Sequence, residues 1–205
     1  MPKVERRKPV WPKAGSAEVE VPPIGKVAEA GTLPVKVGQV KGGELDKVKV
    51  ETLAPEVVRA LGGVGIAARV VRADDGAAPG KVRAEFSYAS FRDAYGGNFA
   101  TRLRLVRVPS CAIEVPRPKA CVVRPSVVPS TNDVKAGTLI AEAEAEAAPA
   151  NATPAAVKPT TPGKDRKAAA QQAMQERLAA QLAAGSVYLL SVGMTGPNGN
   201  WAPPI

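Results

Sequence analysis

The chain contains no histidine. That removes Ser-His-Asp and Cys-His catalysis, His-ligated zinc and an imidazole pH switch together. The reactive side chains that remain are two cysteines and a scatter of carboxylates. Cys111 and Cys121 stand ten residues apart. They read either as a disulfide or as two free thiols. Pro116 and Pro118 lie between them and suit a turn that would bring the Cα atoms to about 5.5 Å, so the bridge is the favoured reading. It would contribute roughly 2–4 kcal/mol, mainly by restricting the unfolded chain, and would imply an oxidising compartment. Two thiols alone do not make a structural zinc site. An enzyme would have to draw on Asp74, Asp75, Asp93 and Asp133, with Ser110 or Cys111 as nucleophile. General acid–base work needs two groups within reach, in environments that separate their pKa values. Nothing in this spacing brings them together. Asp93 reads as a turn residue beside Tyr95-Gly96-Gly97. Asp74-Asp75 reads as a solvated hairpin loop, with a calcium contact as the sharper alternative. No catalytic residue, cofactor or metal is expected.

Charge offers a second kind of chemistry. Lys and Arg number 28 against 19 Asp and Glu, a net of +9. Residues 81–125 hold nine of those cations against three acids, so they carry six of the nine net charges. Arg83, Arg102, Arg104 and Arg107 are the candidate anion-binding residues, for nucleic acid or an anionic surface. No recognition helix, RNP-like motif or Gly-Lys loop accompanies them, so nucleic acid is disfavoured. Solvated outer faces of strands are the plainer reading.

These residues must be positioned by short elements. At 205 residues the chain is one domain with extras. Gly 19 and Pro 20 call for many turns and loose linkers. Residues 1–30 read as a tail or linker, and residues 31–146 as a β-rich domain. Within it, residues 32–37, 45–51, 65–72 and 82–88 read as strands. Residues 54–61, with early Pro55 and trailing Gly62-Gly63, read as a short helix. Residues 101–108 form another strand. There Arg107 falls on the face of Leu103 and Leu105, so a bulge or strand end is expected near Val106, with Pro109 in support. Residues 130–133 are a turn signal. Residues 138–146 alternate Ala with Glu and read as a strand, although both are helix formers. Residues 147–166 read as a Pro/Ala-rich linker, 167–185 as an Ala-rich helix, and 186–205 as a final strand with a truncated loop. Phe86, Tyr88, Phe91, Tyr95 and Phe99 crowd one stretch of a chain with only 4% aromatics. They are expected at the centre of the core, with a platform for sugars or bases as the alternative. The fold class is mainly β: an antiparallel β-sandwich-like domain with short helices. No run of 18 apolar residues exists to span a membrane, and residues 1–15 lack the apolar stretch of a secretory signal.

The run from Phe86 to Val106, FSYASFRDAYGGNFATRLRLV, resembles a segment of bacterial Rhs/YD-repeat proteins, the wall-associated, polymorphic-toxin-like secreted family. In that family the segment precedes the YD-repeat shell. Pro109-Ser110-Cys111, Cys121, Ser130–Asp133 and Gly137–Leu139 follow in the same order. Upstream, residues 10–15 and 30–35 also match family pieces, and residues 186–201 resemble its next strand and loop. The likeness spans about residues 9–201. The sequence departs from the family in having no Tyr-Asp repeats, export signal or C-terminal effector domain.

The resemblance implies a non-catalytic accessory module. Its partners would be the rest of an Rhs-type protein or a cell-envelope component, and its location extracellular or in the cell wall. A stand-alone product with this N-terminus would be cytoplasmic. The alternative is a basic binding module for anionic envelope polymers or nucleic acid.

Overall fold

Period-2 alternation of apolar and polar residues builds most of this fold. In the computed structural model, residues 8–76, 78–96, 98–147, 185–192, 194–195 and 201–202 are described. Eleven strands make two antiparallel sheets among them. They are β1 (Gly15–Glu20), β2 (Ala28–Glu29), β3 (Val35–Gln39), β4 (Lys47–Thr52), β5 (Ala67–Arg72), β6 (Gly80–Ser87), β7 (Arg104–Pro109), β8 (Ser126–Val128), β9 (Ser130–Asp133), β10 (Thr138–Ala145) and β11 (Ser186–Ser191). One sheet has six strands in the order β1-β4-β5-β11-β7-β8. The other has five, in the order β2-β3-β6-β10-β9. A separate two-stranded pair joins β12 (Met194–Thr195) to β13 (Trp201–Ala202). The expected β-sandwich-like class is what the chain adopts. The Ala-rich helix and the linker lie outside the described residues, apart from their outermost positions Ala147 and Gly185.

The N-terminal stretch is not simply a tail. Residues 15–20 form β1, the edge strand that pairs with β4 from Gly15↔Thr52 to Glu20↔Lys47. The reason is visible locally. Ala17 and Val19 turn inward while Ser16, Glu18 and Glu20 face water. Glu18 meets Lys47 across the strands at 2.6 Å. Charges on an edge strand also discourage pairing with another chain.

The six-stranded sheet is covered on both faces. Its inner face packs Val48, Val50, Ala68, Val70, Leu105, Tyr188 and Leu190 against Val37, Val82, Ala84, Phe86 and Ala143 of the other sheet. Its outer face carries a second core, in which Ala67, Val106, Val108, Val187 and Leu189 meet Val58 and Leu61. Val58 belongs to α1 (Pro55–Ala60), and Ala112 joins the same cluster from a 3-10 turn at Ser110–Ile113. This double burial explains why all six residues of β11 are buried.

The two sheets also join at one corner. β9 pairs only with residues 138–141 of β10, and β11 pairs only with residues 67–69 of β5. Each leaves a stretch of neighbouring strand unpartnered, and the two stretches satisfy one another. The Glu144 N–H donates to the Tyr188 hydroxyl at 2.7 Å. The Glu146 N–H donates to Val70 O, and Arg72 N–H donates to Glu146 O, both at 2.8 Å. At that corner the Glu146 carboxylate is 7% exposed and takes Arg69 Nη2 at 2.6 Å. Gly185 packs on it so closely that a Cβ would lie 2.4 Å from Glu146 Cδ.

Four of the five crowded aromatics are in the core: Phe86, Tyr88, Phe91 and Phe99 are at most 1% exposed. Tyr95 is the exception, at 62% exposed. It lies in the turn before α2 (Phe99–Arg102), where it leans on Phe99 with ring centroids 5.0 Å apart. The core is already filled from below by Phe91 and Phe99, so the phenol stays outside. Tyr88 needs a polar partner for its buried hydroxyl. It donates to Asn132 Oδ1 at 2.6 Å, and Asn132 Nδ2 donates to Ala100 O at 2.8 Å. One amide thus ties β6, β9 and α2 together. Asn132→Ala strands both groups, at a cost of about 1–3 kcal/mol. The melting temperature is expected to fall by roughly 2–4 °C for each kcal/mol lost. An unchanged thermal melt would contradict this role.

Candidate functional site

Of the candidate anion-binding residues, Arg107 lines a cleft between the two sheets. β7 runs unbroken to Pro109, with continuous pairing to β11 from Ser186↔Pro109 to Ser191↔Arg104. The bulge or strand end expected near Val106 is therefore absent. The outer face of β7 is apolar, because Val106 and Val108 serve the second core. Arg107 stays on the Leu105 face and escapes at the margin of the sheet, beside the edge strand β8. A long side chain can bury its stem and keep its head in a polar place. Here Nε donates to Ser126 Oγ at 3.3 Å, and Nη1 lies 3.5 Å from Glu144 Oε2.

The cleft around it measures about 400 Å³ and is lined by Lys81, Arg107, Ser126, Glu142, Glu144 and Tyr188. Tyr188 forms its inner wall. Burial pushes the Tyr188 hydroxyl above the ordinary tyrosine range, against the pull of the Glu144 N–H that it accepts. Two cations, two carboxylates and a neutral phenol make a charge-balanced pocket. Such a lining can hold polar or charged groups by hydrogen bonds.

The other three arginines are engaged elsewhere. Arg83 stands on the outer face of β6, where Nη2 meets Glu85 Oε1 at 2.7 Å. Arg102 donates from Nε to Asn98 O at 3.3 Å. Arg104 donates from Nη1 to Leu103 O at 2.9 Å and to Thr101 O at 3.1 Å. The four do not share one cleft, and only Arg107 lines this one.

The residues considered for catalysis are also dispersed. Asp74 is a structural anchor. Its Oδ2 accepts the Asp46 N–H at 2.9 Å, its Oδ1 accepts the Gly76 N–H at 3.2 Å, and Arg72 Nε closes on the same carboxylate. Burial works to raise the Asp74 carboxyl, but the Arg72 guanidinium and the two amides outweigh it, so it lies below the ordinary aspartate range. Asp75 is exposed. Asp93, 82% exposed, faces only Arg92 at 3.6 Å. Asp133 Oδ1 accepts the Ala136 N–H at 2.9 Å and fixes the turn into β10. The Ser110 N–H donates to Gly185 O.

Cys111 is bonded to Cys121, with Cα atoms 6.0 Å apart, so it offers no thiolate. The bridge closes the loop that carries Ala112 and Ile113 over the outer core, next to Val123. Arg117 braces that loop by donating to Ala112 O at 2.9 Å. Among the described residues, no group of three His, Cys, Asp or Glu side chains is placed to hold a metal. No helix among them is long and apolar enough to cross a membrane.

Several working residues escaped the reading of the sequence: Tyr188, Asn132, Trp11 and the Arg69–Glu146 pair. Tyr188 carried a signal, as one of three tyrosines, set in the continuous apolar run of β11. The Arg69–Glu146 pair carried none, because 77 residues separate its members. No family model matches this chain, and neither a curated protein nor a solved structure matches it.

The depressed Asp74 carboxyl sets an acid dependence. Its folded value lies below the unfolded one of about 3.9. The contribution is therefore complete above that value and disappears as pH falls through the folded one. Urea unfolding is expected to show stability dropping below about pH 4, and Asp74→Asn is expected to flatten that limb. Identical acid limbs in the two proteins would contradict the assignment.

Proposed function

We propose that this chain is a non-catalytic structural and interaction module of an Rhs-type exported protein, working outside the cell or at the cell wall. Its partners are the rest of such a protein or a component of the envelope. One observation carries the reading. The segments that bear the family resemblance are also the segments that hold one another together. Phe86, Phe91 and Phe99 fill one core. The Tyr88 hydroxyl is spent on Asn132, and the Asn132 amide on Ala100. Cys111 is spent on Cys121, and Asp133 on its own turn. A catalytic signature leaves its polar members facing a substrate. Here Tyr88, Asn132 and Cys111 are spent on holding the fold and Asp133 on its own exposed turn, as in a signature of fold.

The disulfide supports the location, since such bonds persist in oxidising compartments. The basic-module alternative keeps one foothold, Arg107 with Lys81 in the inter-sheet cleft. Arg83, on the same outer face of β6 as Lys81, is neutralised by Glu85.

The test is the size and location of the endogenous protein. An antibody raised against this chain is used on cell lysate and culture fluid. The expected result is an extracellular or wall-bound band several times the 21.2 kDa of this chain. A band at that mass, found only inside the cell, would overturn the proposal.

A further inference from the structure

Two aromatic rings stand partly in solvent on one side of the molecule. Trp11 is 36% exposed and Tyr95 62%. With Pro55, Arg59 and residues 63–65 they line a cleft of about 190 Å³. The fold builds this cleft with care for both walls. Val10 donates its N–H to Ser90 O at 3.0 Å and accepts Ser90 Oγ on its carbonyl at 2.8 Å, which pins the segment that presents Trp11. The Trp11 ring stacks on buried Phe91 at 4.9 Å and lies 6.0 Å from Tyr95. Phe91 in turn rests on Gly65, where φ is +74° and a Cβ would sit 2.3 Å from the ring. Only glycine suits both that backbone and that contact. Each aromatic wall is thus backed by the core, and a rigid wall offers apolar area at small entropic cost.

The polar groups on this cleft point to a particular ligand. The Trp11 indole N–H and the Tyr95 hydroxyl have no hydrogen-bond partner among the described residues. Arg59 has only Glu56 of its own short helix, at 3.6 Å, with both side chains largely in solvent. Indole and guanidinium are donors only, and the phenol can donate too. A fitting ligand must bring an apolar face for the rings, acceptors for the donors and a negative charge for the guanidinium fork. A pyranose ring bearing a carboxylate has all three. We propose that this cleft binds a carboxylate-bearing pyranose, of the uronic-acid or muramic-acid kind, in an envelope polysaccharide. The inference rests on the reading of the chain as an interaction module and gives that module a ligand class. Aromatic grooves also hold proline-rich peptides, but those make no use of Arg59.

The experiment is a calorimetric titration of the full chain with trigalacturonate, N-acetylmuramic acid, maltotriose and decaproline. It is repeated on Arg59→Gln and Tyr95→Ala, whose side chains face solvent, so their melts are expected to match the parent. Binding of either acidic sugar is expected, with maltotriose weaker by about tenfold or more and each variant weakened by a similar factor. Whichever acid binds identifies the source as a uronic polymer or the wall. Equal binding of maltotriose, better binding of decaproline, indifference to both substitutions, or no sugar binding at all would each overturn the site. A large extracellular product that binds neither acid would remove this ligand and leave the exported-module reading standing.

Discussion

An unpaired backbone amide inside a protein costs free energy on the scale of a lost hydrogen bond, and this fold is arranged around that constraint. β10 outruns β9, and β5 outruns β11. Either overhang alone would bury orphaned backbone groups. Laid against each other they satisfy one another, and the parallel bridge Val71↔Glu146 marks where the end of β10 meets the end of β5, an interior strand of the six-stranded sheet. Tyr188 supplies the hydroxyl that takes the Glu144 N–H in between. The closure also fixes where the chain leaves at Ala147 and returns at Gly185, since Gly185 packs on the Glu146 carboxylate.

Burying a carboxylate there needs a partner, because an isolated charge in a dry site is far too costly. Arg69 provides it with two nitrogens, Nη2 at 2.6 Å and Nε at 3.4 Å. The hydrogen bond to Glu146 in turn raises the Arg69 guanidinium further above its ordinary value, against the effect of burial. With that corner held, β11 can lie between β5 and β7 with both faces covered. The outer cover is thin: one turn of α1 and a loop stapled by Cys111–Cys121. A small cover without regular structure gains most from a covalent constraint on the unfolded chain.

Much of this was legible from the residues. Alternation located β6 and β10, and the Ala/Glu repeat of β10 is a strand because its alanines pack as a flat inner face against the opposite sheet. The cysteine spacing with two intervening prolines pointed to the bridge. Other features were not legible. β1 was hidden in a charged, Pro-containing stretch, although Ala17 and Val19 alternate with Glu18 and Glu20. Arg107 looked incompatible with a straight strand because the reading allowed β7 only one buried face. Tyr95 shares its composition with the core aromatics and differs only in where the turn places it. The corner between the sheets depends on partners far apart in sequence, and no local pattern announces such a pair.

The most direct test of this account is a double-mutant cycle on Arg69 and Glu146, read by urea unfolding of the full chain. Arg69→Ala should cost about 3–5 kcal/mol, because it leaves the buried Glu146 carboxylate without its partner, and Glu146→Ala should cost less, because Arg69 is 27% exposed and keeps Glu51 at 3.8 Å. The double variant should lose less than the sum, with a coupling of roughly 0.5–3 kcal/mol. Single variants within about 0.5 kcal/mol of the parent would mean that the corner is not what holds the two sheets together.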